Sequence, residues 1–246
     1  MTLPHDWLQA DWPAPAWVRT CVTTRSAGNS QPPFDGFNLG DHVGDDPQQV
    51  QANRDWLAQQ LGCTPAWLEQ VHGIEVVEAL PGTLATADAC WTRTPGVACA
   101  IMTADCLPVL FTDRAGTVVA AAHAGWRSLV AGVLEQTLAA MQVNADEVLV
   151  WLGPAIGPQV FEVGPEVREA FVAQHAAASA AFVPSPRAGH WLADLYQLAR
   201  IRLAVAGVPA VYGGGYCTLT DSRFYSYRRN AVTGRMASLV WLRSRV

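Results

Sequence analysis

The chain has 246 residues, half of them in the hydrophobic classes, which suffices for one sizeable core and predicts a single domain over 1–246. A formal charge of -5 and a pI near 5.6 offer no positive field, which excludes nucleic acid and an anionic membrane surface as expected partners. The opening residues carry neither a basic nor an apolar leader, so the expectation is a soluble, cytoplasmic protein with no protein partner implied.

In chain order, Asp46-Pro47 followed by Val50, Leu57 and Leu61 and then Gly62 reads as N-cap, first-turn proline, apolar stripe and C′ glycine, and predicts a helix. Continuous apolar or β-branched runs at 97–102, 106–111 and 117–122 predict strands, several of them buried on both faces. Residues 128–141 set Val130, Val133, Leu134 and Leu138 at helical spacing. A further strand is expected at 148–152, a third helix at 194–206 before Gly207, and a last strand at 236–242. The uncharged run 203–220 is broken by four glycines and a proline, which argues against a membrane span. Segments 28–33 and 184–189 read as surface loops. With no repeat and no linker, the pattern predicts an α+β domain in which mixed β-sheets are flanked by helices. Six cysteines without a CxxC pair suggest reduced thiols rather than a disulfide framework.

One stretch stands apart. "AAAHAGWRS", residues 120–128, sets a single imidazole among residues too small to enclose it and joins a predicted strand to a predicted helix. Such junctions face clefts, so His123 and Arg127 stand where a ligand would, and Ala122, Ala124 and Gly125 are expected to let it approach the backbone. "TADCLPVLF" places Cys106 after Asp105 at the start of a strand, and "LEQVHG" places His72 at a turn. One cysteine and two histidines form a plausible zinc set with one position left open. Their long separations fit no short-range ligand pattern, so three independent core residues remain the alternative at this point.

Six segments then fall in order: "PFDGFNLGDHVGDDPQQVQANR", "LEQVHG", "TADCLPVLF", "AAHAGWR", "GPAIGPQVFEVG" and "FYSYRRNAVTGRMASL". Together they resemble the YfiH-like, or laccase-domain, family once classed as polyphenol oxidases, over nearly the whole chain. The resemblance implies that His72, Cys106 and His123 bind one zinc. It implies a purine nucleoside phosphorylase cleaving adenosine, inosine or methylthioadenosine with phosphate, with adenosine deamination as a second activity. Editing of peptidoglycan precursors has also been described for bacterial relatives.

The two chemistries need different groups. Deamination asks for a carboxylate that shuttles protons beside the metal, for which Glu69 and Asp105 are candidates. Phosphorolysis asks for cations around phosphate, for which Arg127, Arg25 and the Arg228-Arg229 pair are candidates. Cys106, Arg127 and Asp105 make up the expected catalytic set. Copper would compete for the same donors, but a multicopper oxidase needs on the order of ten histidines. This chain has six. A blue-copper centre would want an axial methionine, and Met102 lies about 13 Å from Cys106 along an extended strand. Two other readings use the same residues: a metal-free amidase with Cys106 as nucleophile and His123 as base, and a non-catalytic binding module.

Overall fold

The computed structural model describes residues 4–244. Strand β7 (Val97–Thr103) shows how the layers arise. Ala98 and Ala100 point to one side and Cys99 and Ile101 to the other, and all four are buried. A strand without a polar face must lie between two layers. It belongs to a four-stranded sheet ordered β1 (Val18–Val22), β15 (Met236–Leu242), β7, β2 (Thr64–Ala66). A six-stranded mixed sheet runs β14 (Ala210–Gly213), β10 (Val148–Leu152), β8 (Leu107–Asp113), β9 (Val119–Ala124), β6 (Ala89–Thr92), β4 (Val76–Glu78).

The two sheets pack face to face through Cys99, Ile101 and Val240 from one and Cys90, Leu110, Val119, Ala121 and Trp151 from the other. Helix α1 (Pro47–Leu61) covers the outside of the four-stranded sheet with Leu57. Helices α2 (Trp126–Ala131), α3 (Val133–Met141), α4 (Pro165–Gln174) and α5 (Leu195–Val205) cover the six-stranded sheet through Leu129, Leu134, Phe171 and Leu198. The result is a helix–sheet–sheet–helix sandwich, the α+β architecture with flanking helices that the pattern predicts. Two small sheets lie beside it: β11 (Glu162–Val163) with β13 (Trp191–Ala193) and β12 (Phe182–Pro184), and β3 (Leu68–Glu69) with β5 (Ala85–Thr86).

Helix boundaries follow local chemistry at α1 and α5. Asp46 caps the amide of Gln48 at 2.9 Å, Gly62 closes the helix at φ 64°, and Asp194 caps Gln197 at 2.9 Å. The helix expected over 128–141 is instead two, starting at Trp126 and broken at Gly132, whose φ of 108° suits glycine. Beside the break, the half-buried Arg202–Glu135 ion pair closes at 2.8 Å and ties α3 to α5. The strand expected at 117–122 begins two residues later, because Thr117 is held in a turn by Asp113, and it runs on to Ala124. His123 therefore lies within the sheet, opposite Pro108. Helix α4, strands β1, β2, β4, β6 and β14, and the two small sheets had no expectation. All six cysteines are free, and among the described residues no helix is long and apolar enough to cross a membrane.

Candidate metal centre and substrate cleft

The site lies at one end of the sandwich, where β7 ends, β8 begins, β9 ends and β15 begins. Residues 119, 121 and 123 share the inner face of β9, so His123 continues the row that fills the space between the sheets. Cys106 sits in the turn that carries the chain from β7 in one sheet to β8 in the other. That crossing is tight: Asp105 has φ 89°, a region non-glycine residues seldom adopt. His72, from the segment between β3 and β4, has φ 60°. Among the described residues, two of the four non-glycine residues with positive φ thus flank or supply the site.

The three donor atoms lie within 4.8 Å of one another, and His72 Nε2 is 3.7 Å from Cys106 Sγ. Bonds of about 2.0 Å to nitrogen and 2.3 Å to sulfur at tetrahedral angles set donors about 3.5 Å apart, so the residues fit a metal ion. Gly125 makes the convergence sterically feasible. A Cβ there would stand 2.8 Å from His72 Cδ2 and 3.1 Å from Cys106 Sγ. The small residues of "AAAHAGWRS" therefore serve two purposes, neither of them a floor for ligand: Gly125 admits the side chains of the site, while Ala122 and Ala124 are fully buried in the core.

Asp88 organises both imidazoles. Its side chain is wholly buried and accepts hydrogen bonds from His123 Nδ1 at 2.8 Å and from the backbone amides of Val71, His72 and Gly73. This bond leaves Nε2 of His123 as its ligand atom, the usual carboxylate–histidine–metal relationship. Burial alone would raise the Asp88 carboxyl, but these donors outweigh it and hold it below its ordinary value. Burial likewise pushes the Cys106 thiol up, yet His123 and His72 beside it bring it down to about 6. Burial pulls His123 down, and Cys106 with Asp88 lift it to about 9. Both directions favour thiolate and imidazolium near neutral pH when no ion is bound.

A cleft of about 580 Å³ opens from this centre, within the range typical of small-molecule sites. Trp126, Phe161 and Tyr227 line it together with Arg127, Arg228 and Arg235. Arg127 is exposed and stacks on Trp126 at 4.5 Å. Arg228 lies over Phe161 and donates to the Glu162 carbonyl at 3.1 Å.

Other expected residues are placed elsewhere or occupied. Arg25 is not among the cleft-lining residues; it is paired with Asp35 at 2.8 Å and packed over Tyr225, which removes it as a phosphate ligand. Arg229 spends its guanidinium on the carbonyls of Thr218, Leu219 and Phe224. Glu69 lies outside the cleft lining on β3, accepting from Thr86. Asp105 lines the cleft, but its two oxygens accept from Thr218 Oγ1 at 2.6 Å and the Arg228 amide at 2.7 Å. These bonds fasten the turn that presents Cys106. Met102 also lines the cleft, with its sulfur 3.6 Å from the Arg54 guanidinium.

Three contributors escaped the sequence reading. Asp88 stands in "TADAC" with no local signal. Gln70 and Arg235 stood inside quoted motifs but had no assigned task. The Gln70 amide both donates to and accepts from the Met102 backbone at 2.8 Å, extending the edge of β7 and fixing the segment that carries His72.

The family model described as multi-copper polyphenol oxidoreductase laccase matches residues 19–243. The chain belongs to this family. Among its relatives is a purine nucleoside phosphorylase of Pseudomonas aeruginosa, 65% identical over 237 residues that cover 96% of this chain and 98% of the relative. The purine nucleoside phosphorylase YfiH of Escherichia coli is 56% identical over 236 residues, covering 94% and 96%. The crystal structure of a Neisseria meningitidis protein of the DUF152 family superposes with TM-score 0.94 at 53% identity, covering 97% of this chain and all of that one. YlmD of Geobacillus stearothermophilus superposes with TM-score 0.90 at 30% identity, covering 99% and 98%. The laccase-like family name sits beside a centre of one cysteine and two histidines, the one group of three or more such donors among the described residues.

Proposed function

We propose that the chain is a purine nucleoside phosphorylase acting on adenosine, inosine and methylthioadenosine, with adenosine deamination as a second activity of the same cleft and zinc held by His72, Cys106 and His123. The observation that carries this reading is the meeting, in one cleft, of a three-donor centre, aromatic faces and the arginines Arg127, Arg228 and Arg235, which form no ion pair among the described residues. The names of the relatives at 65% and 56% identity support it. In phosphorolysis a phosphate oxygen bonds to the anomeric carbon as the bond to the purine nitrogen breaks, and the electron pair leaves with the base. Arg127 and Arg228 neutralise and orient the phosphate, by charge-assisted hydrogen bonds of about 1.5–3 kcal/mol each. Trp126 and Phe161 offer ring faces to the base. When bound, zinc supplies Lewis acidity at the inner end of the cleft, which deamination requires for activating water. One thiolate and two imidazoles suit zinc, although copper binds the same donors. Six unpaired thiols suit a reducing compartment, and the reading places the protein in the cytoplasm.

The test is to purify the protein without added metal, measure its metal content, and follow inosine with and without phosphate. Zinc near one per chain and phosphate-dependent release of hypoxanthine and ribose 1-phosphate are expected. Product released equally without phosphate would make the enzyme a hydrolase. Full activity in metal-free protein would remove the zinc and leave Cys106 and His123 as a nucleophile and base.

A further inference from the structure

Arg235 immediately precedes β15, whose first residue Met236 pairs with Thr103 at the end of β7, so the backbone sets it beside the turn that carries Cys106. It lines the cleft and is half-buried. Its Nη1 donates to the carbonyls of Thr233 and Gly234 at 2.9 and 3.0 Å, which fixes the plane of the guanidinium. Among the described residues its Nη2 and Nε have no protein acceptor, and it makes no ion pair. The neighbouring loop is shaped around it: a Cβ on Gly40 would fall 2.7 Å from Arg235 Cγ. Burial lowers its affinity for a proton, opposed by the Cys106 and Asp105 groups facing it. Asp105 already accepts from Thr218 and the Arg228 amide, one on each oxygen, and a metal ion at the centre would neutralise the Cys106 thiolate. A half-buried cation held rigid with one edge of two donor nitrogens free costs solvation that a bound anion restores.

We infer that Arg235 is the inner phosphate-holding residue of the cleft, presenting its free guanidinium edge to the phosphate beside the metal centre while Arg127 acts from the rim. This rests on the phosphorylase reading above. Two donors of one planar fork match two oxygens of one phosphate, which lysine cannot reproduce.

The test compares wild type, Arg235→Gln and Arg235→Lys, all checked for zinc content and thermal unfolding. Phosphate is varied at saturating inosine, and binding of inorganic phosphate alone is followed by ³¹P line broadening. Arg235→Gln is expected to raise the KM for phosphate about tenfold or more and to weaken phosphate binding alike, with the inosine KM within about twofold. Arg235→Lys should fall between the two. An unchanged phosphate KM, or equal rises in both KM values, overturns the inference. So does loss of zinc with unaltered phosphate affinity in metal-reconstituted variant, which would assign Arg235 to the thiolate. If wild type releases no base in a phosphate-dependent way, the phosphorylase reading fails; equal phosphate binding by wild type and Arg235→Gln would then overturn the anion site separately.

Discussion

The middle of the sandwich and its open end are built from the same four strands under opposite rules. In the middle, β7 and β9 alternate small and apolar residues whose side chains meet another layer, and the few buried polar groups, such as Thr112 and Ser238, are hydroxyls without charge. At the end, a carboxylate is buried with four donors, two non-glycine residues hold positive φ, and two of the three candidate metal ligands, His72 and Cys106, crowd a glycine. A core of ordinary strands supports an end whose conformations would not persist unaided.

This contrast makes separable demands on mutants. The largest effect on stability belongs to the middle. Ile101→Ala removes a fully buried side chain between the sheets and should cost about 2–5 kcal/mol, seen as a lower denaturation midpoint, while zinc stoichiometry holds. Loss of zinc in that variant would show that the two regions are not independent.

Next comes Asp88→Asn, which keeps the shape but not the charge that His123 and three amides share. Metal affinity, measured by chelator competition, should fall about 10–100-fold. Its titration has a defined sign. The folded-state value is depressed, so the stability it contributes is present above the ordinary carboxylate range and is lost as pH falls below about 4 toward the folded value. The acid limb of a Tm-against-pH curve for metal-free wild type should accordingly be steeper than that of Asp88→Asn. Identical limbs would refute the assignment.

Gly125→Ala should also weaken metal binding, because the new methyl meets His72 at 2.8 Å, yet leave the melting temperature closer to wild type than Ile101→Ala does. An unchanged zinc affinity would mean that His72 can swing away without loss. The smallest effect is expected from Arg25→Ala. This residue pairs with Asp35, away from the cleft and partly exposed, and such pairs contribute about 0–1 kcal/mol. Its phosphate KM should equal that of wild type, in contrast to Arg127→Ala, where loss of one charge-assisted bond predicts a rise of about tenfold.

What could be read from residue order was whatever local chemistry or short-range pattern decides. Asp46-Pro47 and Gly62 marked α1 because capping and left-handed closure act within a few residues, and Val148–Leu152 and Met236–Leu242 declared themselves strands by burial on both faces. The family and its three donor residues were legible from ordered motifs. The shift of His123 into the sheet and the sorting of arginines were not, because each depends on partners distant along the chain. Arg25 and Arg235 look alike as residues near glycine. What separates them is that the fold brings Asp35 to one and leaves the other facing a cleft. Asp88 carried no signal at all, since its value lies in four donors that meet it only when β6, β9 and the His72 turn come together. Sequence specifies which groups can bind, but their solvation and partners are properties of the packed chain.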